Sequence, residues 1–454
     1  MGDRPSDRGS DPQLSPQGGS GEPSANASIT DSLYGGARSD DPMRDSAELP
    51  PLDGEPGPEG SFTESRQVSW FGKMSEAITG VLIGLVLVVA TGVLLFWNEG
   101  RAVQTSRSLT EGAGLVVDVP NDRVDRAHEG KLIHLQGDLA ATRPVTDPAL
   151  GVAAAAARLV RHVEMYQWKE ESRTETVKQL GGGEERRTTY TYTRVWSDHR
   201  IGSESFRQPA GHQNPQMRFG PFEAVAEDAR LGAFRPGAKA LGRLAADQAM
   251  SLDPNTAERL RARAGFGPVH ADESALYLGQ DPSSPRVGDL RITYRLAPLG
   301  PASFVGRQAG DGLDEYQTRA GDALLMARTG LVPAADLFAG AEAENRILTW
   351  ILRALGAIFM WVGFSLILRP IAVFGDIVPI VGTVLGAGTA LASLALTAVL
   401  APIVIAIAWL FHRPLLSLGI LVAGAAVVLA VRWLAQQRRP AARAGPAAAA
   451  GLRA

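Results

Sequence analysis

His162 and Glu164 stand two apart in a run of strand character, so both project from one face, and His199 lies where a returning strand could bring it beside them. A His/Glu/His set suits zinc. The same i, i+2 spacing also serves an ordinary cross-strand Glu–His or Glu–Arg pair, and that plainer arrangement competes with the metal. The remaining histidines, His128, His134, His212 and His270 among them, are scattered, and no His-Glu-x-x-His helix motif occurs. With no cysteine in 454 residues there is no thiolate nucleophile, no disulfide and no thiolate-bound metal. No Gly-x-Ser-x-Gly elbow, P-loop or kinase signature is present, and Gly386-Ala387-Gly388 sits inside an apolar run where no nucleotide loop belongs. A net charge of -3 gives no support to nucleic-acid binding. No catalytic residue and no cofactor are expected.

The informative residues are apolar. Residues 77–97, AITGVLIGLVLVVATGVLLFW, carry no charge over a length that crosses a hydrocarbon core of about 30 Å. Trp70, Phe71, Phe96 and Trp97 flank the segment as interfacial anchors. Lying behind a long polar tail, it reads as a signal anchor and not as a cleaved leader. Three further spans are expected at 347–368, 384–411 and 415–431, with 371–383 as an interfacial lead-in containing Asp376. Arg353 is the costliest group inside a span, and its place near the span's start predicts that it snorkels to the interface. Gly382, Gly386 and Gly388 form a small-residue stripe and are the candidate helix-packing site.

Between the first span and the rest, residues 98–346 are polar, with short β-branched and aromatic runs that predict a β-rich domain. Thr188-Thr189-Tyr190-Thr191-Tyr192-Thr193 alternates with period two, and residues 158–170 are its expected hairpin partner, across a charged loop containing Gly181-Gly182-Gly183. A helix over about 237–263 must break at Asp253-Pro254. Gly-Asp-Leu recurs at 137–139 and 288–290, a faint sign of two related halves. Residues 1–65, rich in Gly, Pro, Ser and acid, are expected to form a disordered acidic tail. Within it, Gly2 with Ser6 fits a myristoylation pattern and Asn26-Ala27-Ser28 a glycosylation sequon, both short enough to arise by chance. Residues 432–454 carry five arginines and form a basic tail expected on the cytoplasmic side. Four crossings then put both termini in the cytoplasm and the β domain on the opposite face. The fold class expected is an α+β membrane protein in which one N-terminal and three C-terminal transmembrane helices flank a β-rich extramembrane domain.

Several short motifs occur together: Asn98-Glu99-Gly100-Arg101-Ala102, Glu129-Gly130-Lys131-Leu132-Ile133-His134, Arg161-His162-Val163-Glu164-Met165-Tyr166-Gln167-Trp168, His212-Gln213-Asn214-Pro215, Val287-Gly288-Asp289-Leu290-Arg291, and Trp409-Leu410-Phe411 followed by Arg413-Pro414-Leu415. In this order, over about residues 70–435, the chain resembles the LUMA family, also called the transmembrane protein 43 family. The acidic extension of residues 1–65 departs from that pattern. The resemblance implies one amino-terminal span, a large lumenal or exoplasmic domain and three carboxy-terminal spans. It further implies a self-associating, non-enzymatic scaffold, which in animals belongs to the endoplasmic reticulum and inner nuclear membrane. Heavy use of Ala, Gly and Arg points to a GC-rich bacterial genome, hence an inner-membrane protein with a periplasmic domain; in a eukaryote the expected place is the endoplasmic reticulum or inner nuclear membrane. The partners expected are the lipid bilayer, further copies of the chain and unidentified envelope proteins, with no nucleic acid. A lipid-binding or envelope-stress sensor with a ligand in the β domain is the alternative.

Overall fold

The computed structural model describes residues 61–437 except Pro254 and Ala264. The myristoylation and glycosylation patterns, the arginines beyond residue 437 and most of the acidic tail lie outside the described residues. The chain begins with strand β1 (Ser61–Val68) and then enters helix α1 (Trp70–Leu115). Ser69 caps that helix, its hydroxyl accepting the Gly72 N–H at 3.2 Å. The 46 residues of α1 extend about 69 Å, twice what a hydrocarbon core requires, so its last turns must leave the apolar layer.

Two sheets follow, antiparallel but for one short parallel pairing of Val117–Asp118 with Ile133 and His134 in the second. The first is built on β2 (Ala156–Lys178), β3 (Glu184–Ser197) and β4 (Leu290–Pro298). The second is built on Leu132–Ala140 paired with Gly300–Ala309. The chain passes from one sheet to the other at Gly300, whose φ of +110° lies in a region that favours glycine. Period-two alternation decides which side chains enter the core. Leu159, Val163 and Met165 from β2 and Ile292 and Tyr294 from β4 meet Ile133, Leu135, Leu139 and Phe304 of the second sheet. The opposite face of the second sheet, with Leu132 and Val305, packs on Leu109 of α1 and on Leu337 and Phe338. Those last two belong to helix α2 (Ala334–Gly375). The order of layers is therefore sheet, sheet, helix ends.

Helix α3 (Pro379–His412) returns along α1 and α2, and α4 (Pro414–Gln437) follows. Among the described residues three helices are long and apolar enough to cross a membrane: α1, α2 and the part of α3 from Ile380 to His412. The fourth span expected, 415–431, falls within the 24-residue α4, which is not one of those three.

The boundaries expected from composition move in four places. Residues 61–65 are not tail but the start of β1, which pairs with β3 from Ser61↔Thr191 to Val68↔Glu184. Helix α2 continues through Gly375, leaving only 376–378 as the turn where a lead-in over 371–383 was expected. The domain assigned to 98–346 has helical margins, because α1 runs on to Leu115 and α2 starts at Ala334. The hairpin arms are also longer than expected. Strands β2 and β3 pair from Met165↔Ser197 to Lys178↔Glu184, so the charged residues assigned to a loop lie in the ladder. Only residues 179–183 turn the chain, with Gly181 and Gly182 at φ +90° and +85°. The helical segment expected over 237–263, broken in two at Asp253-Pro254, appears as two short helices, Gly237–Leu241 and Thr256–Arg261, with a wider gap between them.

Candidate functional site: a charged clasp where the helices meet the sandwich

Metal chemistry at His162, Glu164 and His199 is not assembled. Glu164 pairs with Arg291 across the sheet at 2.8 Å, and His199 Nδ1 lies 2.7 Å from Asp198. The His199 ring beside it holds the Asp198 carboxyl below the ordinary carboxylate range. His162 stands opposite Thr293 in the ladder. Among the described residues no group of three or more His, Asp or Glu side chains is placed to hold a metal ion.

The charges that do converge lie between helices. Glu99, at the end of the apolar part of α1, accepts two hydrogen bonds from Arg353 of α2, Nε at 2.6 Å and Nη2 at 2.7 Å. Trp409 of α3 donates its indole N–H to the same carboxylate at 2.8 Å. The guanidinium of Arg353 lies over the Trp350 ring, 4.8 Å from its centroid. Arg353 therefore ends on a partner within the protein, two residues past Trp97 along α1. Its counter-ion is a buried carboxylate on the neighbouring helix, and a fork-to-fork pair is strongest where water is scarce.

One turn on, Asn98 donates to the Thr349 carbonyl at 3.2 Å, and Arg101 donates to Asn345 Oδ1 at 3.0 Å and Thr349 Oγ1 at 3.1 Å. Asn345 returns a bond to the Ala102 carbonyl at 3.0 Å. The antiparallel crossing of α1 and α2 is thus fastened by the Asn98–Ala102 motif. Below it the helices touch through glycine. A Cβ on Gly84 would lie 2.6 Å from the Gly363 carbonyl oxygen, and one on Gly356 would lie 2.5 Å from Leu95. Above it, α1 seats the sandwich: Ser108 Oγ accepts from Thr318 at 2.9 Å, and Glu111 accepts the backbone N–H of Arg319 at 3.0 Å.

The small-residue stripe sits elsewhere. A Cβ on Gly382 would meet the turn at Asp376, whereas Gly386 and Gly388 face open space. Sequence reasoning missed the α1–α2 contact although Gly80 and Gly84 stand four apart in α1, a small-residue pair that could have marked it. Gly356 and Gly363 of α2 are seven apart, and which helix meets them shows only in the fold.

At the other end of α1, Lys73 is buried between Glu184 at 3.1 Å and Asp376. Lys178 reaches Asp376 at 2.6 Å, and Arg186 reaches Glu76 at 2.8 Å. This is the tip of the β2–β3 ribbon docked on the helix start.

The other motif residues are also used up in clamps. Asn214 holds the backbone of Trp168, accepting its N–H at 2.8 Å and donating to its carbonyl at 2.9 Å. Gln167 bridges to His199 and Ile201. Asp147 joins Arg161 at 2.5 Å and the Tyr294 hydroxyl at 2.6 Å inside the sandwich, where burial and then the Asp147 charge push that phenol's pKa up. His134 lies between Asp118 and the Val332 carbonyl.

A family model described as Transmembrane protein 43 matches residues 165–414, a stretch that includes the ribbon, α2 and α3. The human protein Transmembrane protein 43 is 33% identical over 382 residues, covering 80% of this chain and 92% of that protein. The chain belongs to the transmembrane protein 43 family. The mouse Transmembrane protein 43 is 32% identical over 369 residues, covering 78% of this chain and 89% of its own length. The Drosophila melanogaster Transmembrane protein 43 homolog is 30% identical over 365 residues, covering 76% and 92%. No solved structure matches. The membership agrees with the order of motifs in the chain, and with the helices it makes the molecule a membrane protein.

Proposed function

We propose that this member of the family is a non-enzymatic membrane scaffold that self-associates and organises other membrane or envelope proteins. One observation carries the reading: the Glu99–Arg353–Trp409 clasp fastens three helices to one another, and the sandwich is seated on the end of α1 by Ser108–Thr318, by Glu111–Arg319 and by the close approach at Gly112, where a Cβ would lie 2.4 Å from Leu324. Such coupling suits a part that holds position. Most motif polar groups are consumed in internal pairs, which supports a structural role over a reactive one. Self-association would use the open side of α3, where Gly386 and Gly388 lie beside exposed Val384 and Leu391. The test is the mass of the protein in mild detergent by light scattering. An oligomer that Gly386→Leu/Gly388→Leu weakens supports the proposal, and a strict monomer overturns it.

In this reading α4 completes four crossings and the sandwich occupies the far face, the periplasm in a bacterium. The β2–β3 ribbon then matters. From Met165↔Ser197 to Lys178↔Glu184 it extends about 43 Å at 3.3 Å per residue. Along α1, Lys73 and Ala102 are about 44 Å apart. The docked ribbon therefore runs beside the apolar segment, carrying Glu170, Glu171, Arg173 and Glu175. Ribbon and lipid exclude one another on that flank, since each charge at mid-bilayer costs about 3 kcal/mol or more and an open strand edge finds no partner in hydrocarbon. In a membrane the ribbon tip leaves Lys73 and Asp376 and exchanges those ion pairs for water. The alternative, a lipid-binding sensor, finds less support within the sandwich, where side chains of both sheets interdigitate.

A further inference from the structure

A cavity of about 800 Å³ opens at the foot of the sandwich, where the apolar part of α1 ends. Its floor is Val93, Phe96 and Trp97, and its upper wall carries Arg101, Arg107 and Arg319. Among the described residues no carboxylate forms a salt bridge with any of these three arginines. Arg101 bonds only the neutral groups of Asn98, Asn345 and Thr349, and its Nε is buried without a partner. Arg107 gives one bond, to the His412 carbonyl at 2.7 Å. Arg319 reaches the cavity from a turn whose backbone Glu111 holds against α1. His412 Nε2, on the same wall, is likewise buried without a partner.

The cavity at the other end of α1, of similar size, shows the contrast. There Arg186 and Arg369 face Glu76, and Arg207 faces Glu64, so the protein's own carboxylates share the space with the arginines. Three guanidiniums around one space with no acid among them call for an anion with several acceptor oxygens. The apolar floor calls for an amphiphile. Arg101 stands about 6 Å along the helix from Trp97, the thickness of one headgroup layer above the hydrocarbon edge.

We propose that this cavity binds the phosphate of an anionic phospholipid. The phosphodiester oxygens sit among Arg101, Arg107 and Arg319, and an acyl chain descends along Val93, Phe96 and Trp97. The lipid supplies the counter-charge that the chain withholds, and it ties the Arg319 turn of the sandwich to α1 and to the end of α3.

Native mass spectrometry of the full chain in neutral detergent tests this with a phosphatidylglycerol and a phosphatidylcholine of the same acyl chains. The expected result is one retained phosphatidylglycerol, preferred about tenfold over phosphatidylcholine. The variant Arg107→Gln/Arg319→Gln, changing two exposed side chains, should lose about that preference while its thermal midpoint stays unchanged. Inorganic phosphate at millimolar concentration should leave the lipid in place. Equal retention of the two lipids overturns the proposal, as does an unaltered preference in the variant. Displacement by inorganic phosphate overturns it in favour of a free-anion site. Should the double variant fail to fold, Arg319→Gln alone, on an exposed turn, decides in the same way.

Discussion

Replacing Arg353 by methionine keeps most of the side chain's length and removes its charge and donors. Glu99, whose side chain is 3% exposed, would lose two of its three charge-assisted hydrogen bonds and keep only the Trp409 indole. Leaving one member of a buried ion pair without its partner costs about 3–5 kcal/mol, a large part of the 5–15 kcal/mol that usually holds a domain together. The converse change is milder. In Glu99→Leu the abandoned Arg353 is 17% exposed and can turn its head toward water, so the loss should be roughly 1–2 kcal/mol. The double variant Glu99→Leu/Arg353→Met exchanges the pair for apolar contact and should recover most of the loss, giving a coupling of about 3 kcal/mol. Equilibrium unfolding in mixed micelles, followed by the fluorescence of Trp350 and Trp409 beside the pair, measures all three. Additive losses, or a Glu99→Leu variant less stable than Arg353→Met, would refute the reasoning.

The absence of native cysteine makes cross-linking clean for the ribbon. Thr63 and Thr189 face each other with hydroxyls 3.1 Å apart, so Thr63→Cys/Thr189→Cys should form a disulfide wherever β1 pairs with β3. We expect that bond in detergent and not in intact membranes on oxidation, and its formation in membranes would sink the four-crossing topology. Gly84→Leu should destabilise the α1–α2 crossing by about 1–3 kcal/mol, read as the same micellar unfolding midpoint, because its Cβ would press on the Gly363 carbonyl. Burial, with a hydrogen bond to Glu170, pushes the Tyr192 phenol up to about 12. The unfolded chain releases that proton near pH 10, so the folded chain binds more protons between the two values and its stability falls as pH rises through them. Tyr192→Phe should flatten that decline in a comparison of unfolding midpoints from pH 9 to about pH 12. An equal decline in both proteins would show that Tyr192 is not responsible.

Three of the four expected spans were legible because their signal is local: about twenty apolar residues in a row are costly to leave in water whatever surrounds them. The hairpin was legible for a similar reason, since the alternation at Thr188–Thr193 needs only its own neighbours to declare a strand. The clasp was not. Glu99 and Arg353 are 254 positions apart, and nothing near either one marks the other as its partner. The same limit explains why Arg353 read as a lone cation and why Gly84 was not matched with Gly363 on a remote helix.

Order of elements, apolar lengths, strand periodicity and the lack of thiol chemistry all follow from residue types and their near spacing, so the chain carried them openly. Which charge meets which, which glycine admits a neighbouring helix and where arginines gather without acid depended on the folded arrangement. Those are distance relations between remote segments, and electrostatic and contact energies fall off over a few ångströms in space, without regard to separation along the chain.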